Sequence, residues 1–153
     1  MKFLLTIFCL TLLHIQCATK KINETEKITF NKEAVFIYKH YTRGFYKEHH
    51  IKEGKLTTYL DYKKKEFIEK EITPMDWVKC LELLTKIDLA EFVKLEAPSG
   101  LRHTDKVQHG ELTLKINKAT FRSRGFDHGN PPQDIKPLVN HLLYLSEGEV
   151  FQN

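Results

Sequence analysis

The chain has 153 residues, enough for one domain around one hydrophobic core, and its 41% apolar share with 10 Phe, 6 Tyr and 1 Trp excludes a disordered composition. Net charge is +4, from 24 basic and 20 acidic residues mixed along the chain, so the strong basic stripe of a nucleic-acid binder is missing and no nucleic-acid partner is expected. The lysine run Lys63-Lys64-Lys65 is closed at once by Glu66 and reads as a solvated turn.

Residues 1–16 read as a signal peptide. Met1-Lys2 gives a positive start, and Phe3 to Ile15 is rich in Leu, Ile and Phe, with Thr6, Thr11 and His14 as its clearly polar interruptions. As a helix these 13 residues reach roughly 20 Å at about 1.5 Å per residue, short of the roughly 30 Å of a bilayer core. The stretch is apolar on all sides and the chain turns polar straight after it, which fits an export address rather than a core helix.

The leader runs into Gln16-Cys17-Ala18-Thr19-Lys20. A cysteine just past a leader resembles the lipobox of bacterial lipoproteins, although His14 and Gln16 stand where that family usually has Leu and a small residue. The resemblance implies acylation of Cys17, which becomes the first residue of the mature chain, and membrane lipid as a partner. Each buried CH₂ of an acyl chain contributes about 0.8 kcal/mol, and two or more chains anchor stably. Two alternatives stay open: ordinary signal-peptidase cleavage with a periplasmic or secreted product, and an uncleaved anchor. Cys9 lies inside the leader, so only Cys80 remains in the mature domain and no internal disulfide can form. Cys80 sits beside Leu81 on a predicted helix and is expected to be a buried, inert thiol.

Residues 17–31 are polar and of mixed charge, as in a short flexible tether, and 32–153 read as one α+β domain. Ala34 to Tyr41 reads as a strand rich in Val, Ile, Phe and Tyr, Arg43-Gly44 as a turn or bulge, and Phe45 to Ile51 as a candidate second strand. Glu53-Gly54 turns the chain into Leu56 to Tyr62, where Leu56, Thr58, Leu60 and Tyr62 share a face. Glu66 to Lys70 is a short strand. Thr73 as N-cap, Pro74 at the first helical position and Asp76 as a capping acid announce a helix. Trp77, Cys80, Leu81, Leu84 and Ile87 line its inner face.

A long connection runs from Glu96 to His109, and long connections in compact domains are often functional. Leu112, Leu114 and Ile116 then alternate with polar residues in a half-buried antiparallel strand, Asn117-Lys118 turns, and Ala119 to Arg124 returns. The last helix carries Ile135, Leu138, Leu142 and Leu145 on one face. It starts near Asp134 so that Pro137 falls in the first turn, and Gly148 stops it. The order strands–helix–strand pair–helix predicts an antiparallel sheet with two helices packed on one face.

Recognisable chemistry is thin. His49 and His50 are adjacent, so in a strand they point to opposite faces. His103, Asp105 and His109 can approach one another in the long connection. No Cys-x-x-Cys or His-Glu-x-x-His spacing occurs, and no metal ligands or cofactor are assigned. Ser99, Ser123 and Ser146 are the only serines and none lies in a Gly-x-Ser-x-Gly turn, so no catalytic residues are assigned and an enzyme is the less favoured reading. The most unusual stretch is Phe126-Asp127-His128-Gly129-Asn130-Pro131-Pro132, whose first reading is structural: a capped turn and a stiff approach to the last helix. Its functional reading joins Asp127 and His128 to Arg43, and to His103, as a polar ligand or partner patch, with Arg43 pairing Asp127 or an anion.

An Arg-Gly after the first strand, a Trp-bearing helix and Phe-Asp-His-Gly-x-Pro-Pro before the last helix resemble small Bacteroidetes-type lipoproteins of unassigned function. That resemblance carries no catalytic residues over to this chain. The expected function is a lipid-anchored binding or interaction module of the cell envelope, with an envelope protein as a possible partner. The alternative is a periplasmic hydrolase or small-ligand enzyme using Arg43, His103, Asp127 and His128.

Overall fold

The computed structural model describes residues 33–148. The expected signal peptide, Cys17 and the expected tether lie outside the described residues. Among the described residues no helix is long and apolar enough to cross a membrane.

The chain folds as an α+β domain on an antiparallel sheet. Its first strands are β1 (Ala34–Thr42), β2 (Phe45–Lys52), β3 (Lys55–Tyr59) and β4 (Phe67–Glu71). Helices α1 (Pro74–Leu84) and α2 (Leu89–Phe92) follow, then a 3-10 turn (Leu101–Thr104). Strands β5 (His109–Ile116), β6 (Ala119–Arg122) and β7 (Phe126–Asp127) lead to α3 (Lys136–Glu147). The sheet order is β4-β3-β2-β1-β5-β6, with β7 also paired to β5.

The hairpin turns set which residues share a face. Arg43-Gly44 joins β1 to β2 with Thr42 opposite Phe45, so Phe36 faces Ile51 and Tyr38 faces His49. Glu53-Gly54 joins β2 to β3, with Gly54 at φ +74°, a conformation open to glycine without steric cost. Asn117 takes φ 53° in the β5–β6 turn, which its short polar side chain tolerates. The face built from Phe36, Tyr38, Ile51, Leu56, Leu112, Leu114 and Ile116 is buried in one core with Trp77, Cys80, Leu138 and Leu142 of the helices. The Trp77 ring meets Phe36 edge-on at 5.7 Å. The opposite face is polar and holds ion pairs such as Lys39–Glu111 at 3.1 Å.

Helix α1 begins as its sequence predicts: the Asp76 N–H donates to the Thr73 hydroxyl at 3.1 Å, and that hydroxyl donates to the Asp76 carboxylate at 2.8 Å. Its inner face also buries Leu83, while Leu81 is only partly covered. Burial, reinforced by Asp76, pushes the Cys80 thiol up to about 12, so it stays protonated and unreactive. Pro137 lies in the first turn of α3, and Gly148 caps it at φ 74°.

Four features differ from the sequence reading. The strand expected over Leu56 to Tyr62 stops at Tyr59, leaving Leu60 and Tyr62 exposed. The cause is Asp61, whose carboxylate accepts the N–H groups of Lys63, Lys65 and Glu66 at 2.7, 2.9 and 2.7 Å and curls the chain out of the ladder. Helix α2 has four residues, too few to show a periodicity, and is capped by Asp88 accepting from Ala90 at 2.8 Å. The 96–109 connection holds the 3-10 turn. Finally, β6 ends at Arg122, after which Ser123 keeps contact with β5 by donating its N–H to the Leu112 carbonyl and accepting the Leu112 N–H on its hydroxyl.

Candidate functional site

The hairpin register places His40 and His49 on the helix-covered face, at the sheet end farthest from Ala34. His40 is opposite Lys47, and His49 lies between Tyr38 and Thr58 across its two neighbouring strands. Helix α3 delivers its last residue, Glu147, to the same place. The chain leaving β7 adds His128, whose N–H donates to the Gln108 carbonyl at 2.9 Å. Gly110 makes room for this arrangement, since a Cβ there would lie 2.8 Å from the Phe126 ring and 2.9 Å from the Tyr38 hydroxyl.

Each histidine of the pair is held by its outer nitrogen. His40 Nδ1 lies 2.6 Å from Gln108 Oε1, and His49 Nδ1 lies 2.9 Å from Thr58 Oγ1. The two Nε2 atoms then face each other at 3.2 Å. Glu147 Oε1 completes a triangle, 3.4 Å from His40 Nε2 and 3.7 Å from His49 Nε2. His40 and His49 are 2% and 1% exposed. Lys47 reaches in from the rim, its Nζ donating to the same Glu147 oxygen at 2.6 Å. The His128 ring stacks on His40 with centroids 4.2 Å apart, and its Nδ1 lies 2.9 Å from the Tyr38 hydroxyl.

The surroundings fix the charges. Burial, with His40 beside it, lowers His49 to about 3, so its imidazole is neutral at physiological pH. Burial and His40 likewise bring His128 down to about 4. Contact with His40 and then Lys47 outweighs burial and holds Glu147 at about 2, fully ionised. Burial, together with the charge of Glu147, pushes the Tyr38 hydroxyl above its ordinary range, so it stays protonated. The cluster therefore gathers two imidazoles and a carboxylate within one small, mostly buried volume, their ligand atoms all within 4.8 Å of one another.

The four residues singled out in the sequence do not meet. Arg43 is exposed in the β1–β2 turn. Asp127 is two strands away from β1 and its guanidinium partner is Arg102, at 3.1 Å, not Arg43. Asp127 also accepts from the Ser99 hydroxyl at 2.6 Å and from the Leu101 and Arg102 N–H groups at 2.8 and 3.0 Å. Burial pushes its carboxyl up, but these donors prevail and hold it at about 2. Asp127 thus stitches the 96–109 connection to the sheet. His103 is exposed on the 3-10 turn, and its ring approaches His109 at 6.3 Å as expected, at a shallow depression lined also by Ser99 and Arg102. Only His128 belongs to the buried cluster, as the cover of His40.

His40, Lys47, Gln108 and Glu147 escaped the sequence reading. For the histidine pair a signal was present. A two-residue turn at 43–44 sets Thr42 against Phe45, and counting outward by pairs puts His40 and His49 on one face, with His50 on the other. Glu147, 98 residues beyond His49, gave none. The chain matches no protein-family model, and no curated protein is similar to it in sequence.

Proposed function

We propose that this protein is an envelope lipoprotein, held to a membrane through acylated Cys17, whose domain is a binding module with its ligand site at the His40–His49–Glu147 cluster. The observation that carries the site is the convergence of two imidazole nitrogens and a carboxylate oxygen within 4.8 Å of one another, with both histidines buried and the partly exposed Lys47 beside them. Buried polar groups are ordinarily matched donor to acceptor. Here three atoms that can each accept face one another and share few donors, the Lys47 ammonium and one imidazole N–H, as in a site shaped for an electron-poor ligand. The tether is supported by the leader, by the cysteine directly behind it, and by the polar residues 17–31 that separate that cysteine from β1.

A hydrolase built on Arg43, His103, Asp127 and His128 lacks comparable support, because Asp127 is fully engaged by its four donors and Arg43 and His103 lie apart on the surface. Labelling cells with a clickable fatty acid tests the tether. Label is expected on the wild-type chain and absent from Cys17→Ala. Equal label on both, or a mature chain that still begins at Met1 in the cytosolic fraction, removes the envelope placement.

A further inference from the structure

We propose that His40, His49 and Glu147 bind a divalent transition cation of the Zn²⁺ class, with a fourth coordination position left open toward Lys47. The inference rests on the reading of that cluster as a binding site and names its ligand.

The distances fit the ion. Tetrahedral zinc holds imidazole nitrogen and carboxylate oxygen at about 2.0–2.2 Å, so any two of its ligand atoms are about 3.3–3.6 Å apart. The three edges of the triangle are 3.2, 3.4 and 3.7 Å. The donor set of two imidazoles and one carboxylate suits Zn²⁺ and its neighbours in the first transition row, and not Ca²⁺ or Mg²⁺, which take oxygen.

The second shell fits as well. A metal-bound imidazole ordinarily donates its other N–H to an oxygen, which fixes its tautomer and aims the bare nitrogen at the ion. Gln108 Oε1 is placed to accept from His40 Nδ1 and the Thr58 hydroxyl from His49 Nδ1. With Nδ1–H on both rings, the two Nε2 lone pairs point at one spot beside the Glu147 carboxylate. The metal-free chain has a way to accommodate this: the Thr58 hydroxyl reverses and donates to His49 Nδ1, and His49 Nε2–H then donates to His40. A cation takes the place of that proton, which ends on His49 Nδ1 as the Thr58 hydroxyl turns back to accept it, and the ion engages all three atoms at once.

Lys47 occupies the charge position in the meantime. Its ammonium neutralises Glu147, yet its side chain is 34% exposed, so it can swing to the other carboxylate oxygen or into solvent when an ion arrives. Three protein ligands and a partly open rim match the ligand count of zinc sites that keep a water or an added ligand in the fourth position.

The test is calorimetric titration of the purified full chain with Zn²⁺, alongside the visible spectrum of its Co²⁺ complex. One ion per chain and a tetrahedral cobalt spectrum are expected, with a raised melting temperature. Glu147→Gln and His49→Gln should each weaken binding by more than the about 10–100-fold that losing a second-shell partner costs. Cys17→Ala should leave it unchanged. Absence of saturable Zn²⁺ binding, an octahedral cobalt spectrum, or affinity unaltered in Glu147→Gln overturns the site; the cobalt spectrum of the wild type decides even where a histidine variant does not fold. The fatty-acid label is read independently, so a missing ion leaves the tether standing, and a missing label leaves the ion standing.

Discussion

Asp127 and His128 are neighbours in the chain, one ending β7 and the other just beyond it, yet their side chains enter two polar clusters of opposite character. Around Asp127, one carboxylate meets a hydroxyl, two backbone N–H groups and a guanidinium, so every acceptor finds a donor. Beside His128, two imidazole nitrogens and a carboxylate oxygen converge on one another. A matched cluster has nothing left to offer a ligand and contributes to stability alone. A cluster whose acceptor-capable atoms outnumber its donors keeps lone pairs in reserve for a ligand. Burial alone does not separate the two, since Asp127 and His40 are each 2% exposed. The balance of donors and acceptors does.

The largest effect belongs to the matched cluster. Asp127→Ala strands the Arg102 guanidinium and two N–H groups and should cost about 3–5 kcal/mol, read as a lower denaturation midpoint. A loss under 1 kcal/mol would show that water replaces the carboxylate and that the comparison is wrong.

Acid separates the clusters next. The folded-state value of Asp127 is about 2, against about 3.9 when unfolded. Its contribution is full above about pH 4 and is lost as pH falls toward 2, about 2–3 kcal/mol in all. The wild-type stability curve, less that of Asp127→Asn, should show this slope between those limits, and a flat difference would remove the assignment.

Thr58→Val sharpens the other side. It should weaken Zn²⁺ binding about 10–100-fold by freeing the His49 ring, and should lower the stability of the metal-free chain by about 1–3 kcal/mol because the buried His49 Nδ1 loses its partner. Unchanged affinity means Thr58 does not orient His49. The smallest effect is Ser99→Ala, which removes one donor to Asp127 and one acceptor for Asn130, at about 1 kcal/mol by chemical denaturation. Ser99→Ala should leave metal affinity untouched, because it belongs to the matched cluster.

Most of the fold was legible in local pattern. Turn residues at Arg43-Gly44, Glu53-Gly54 and Asn117-Lys118 delimit hairpins whose registers follow by counting, and Thr73-Pro74 fixes the start of α1. The failures are equally local. Asp61 overrode a strand pattern by capturing three backbone N–H groups, and α2 and β7 are too short to leave a period. The candidate site was half legible. His40 and His49 share a face by register alone, whereas the Asp127 partner was misread because Arg43 and Arg102 are equivalent on paper and only the path of the 96–109 connection chooses between them.

By itself the sequence determined the hairpin phases, the apolar faces and the helix caps, because these depend on residues a few positions apart. The proposed leader and the acylation of Cys17 are read from the sequence alone. Only the tertiary structure decided that Glu147 ends beside His40 and His49. That meeting depends on where α3 stops after packing across the sheet, with Leu138 and Leu142 seated in the core, and no short-range pattern encodes the landing point of a helix end.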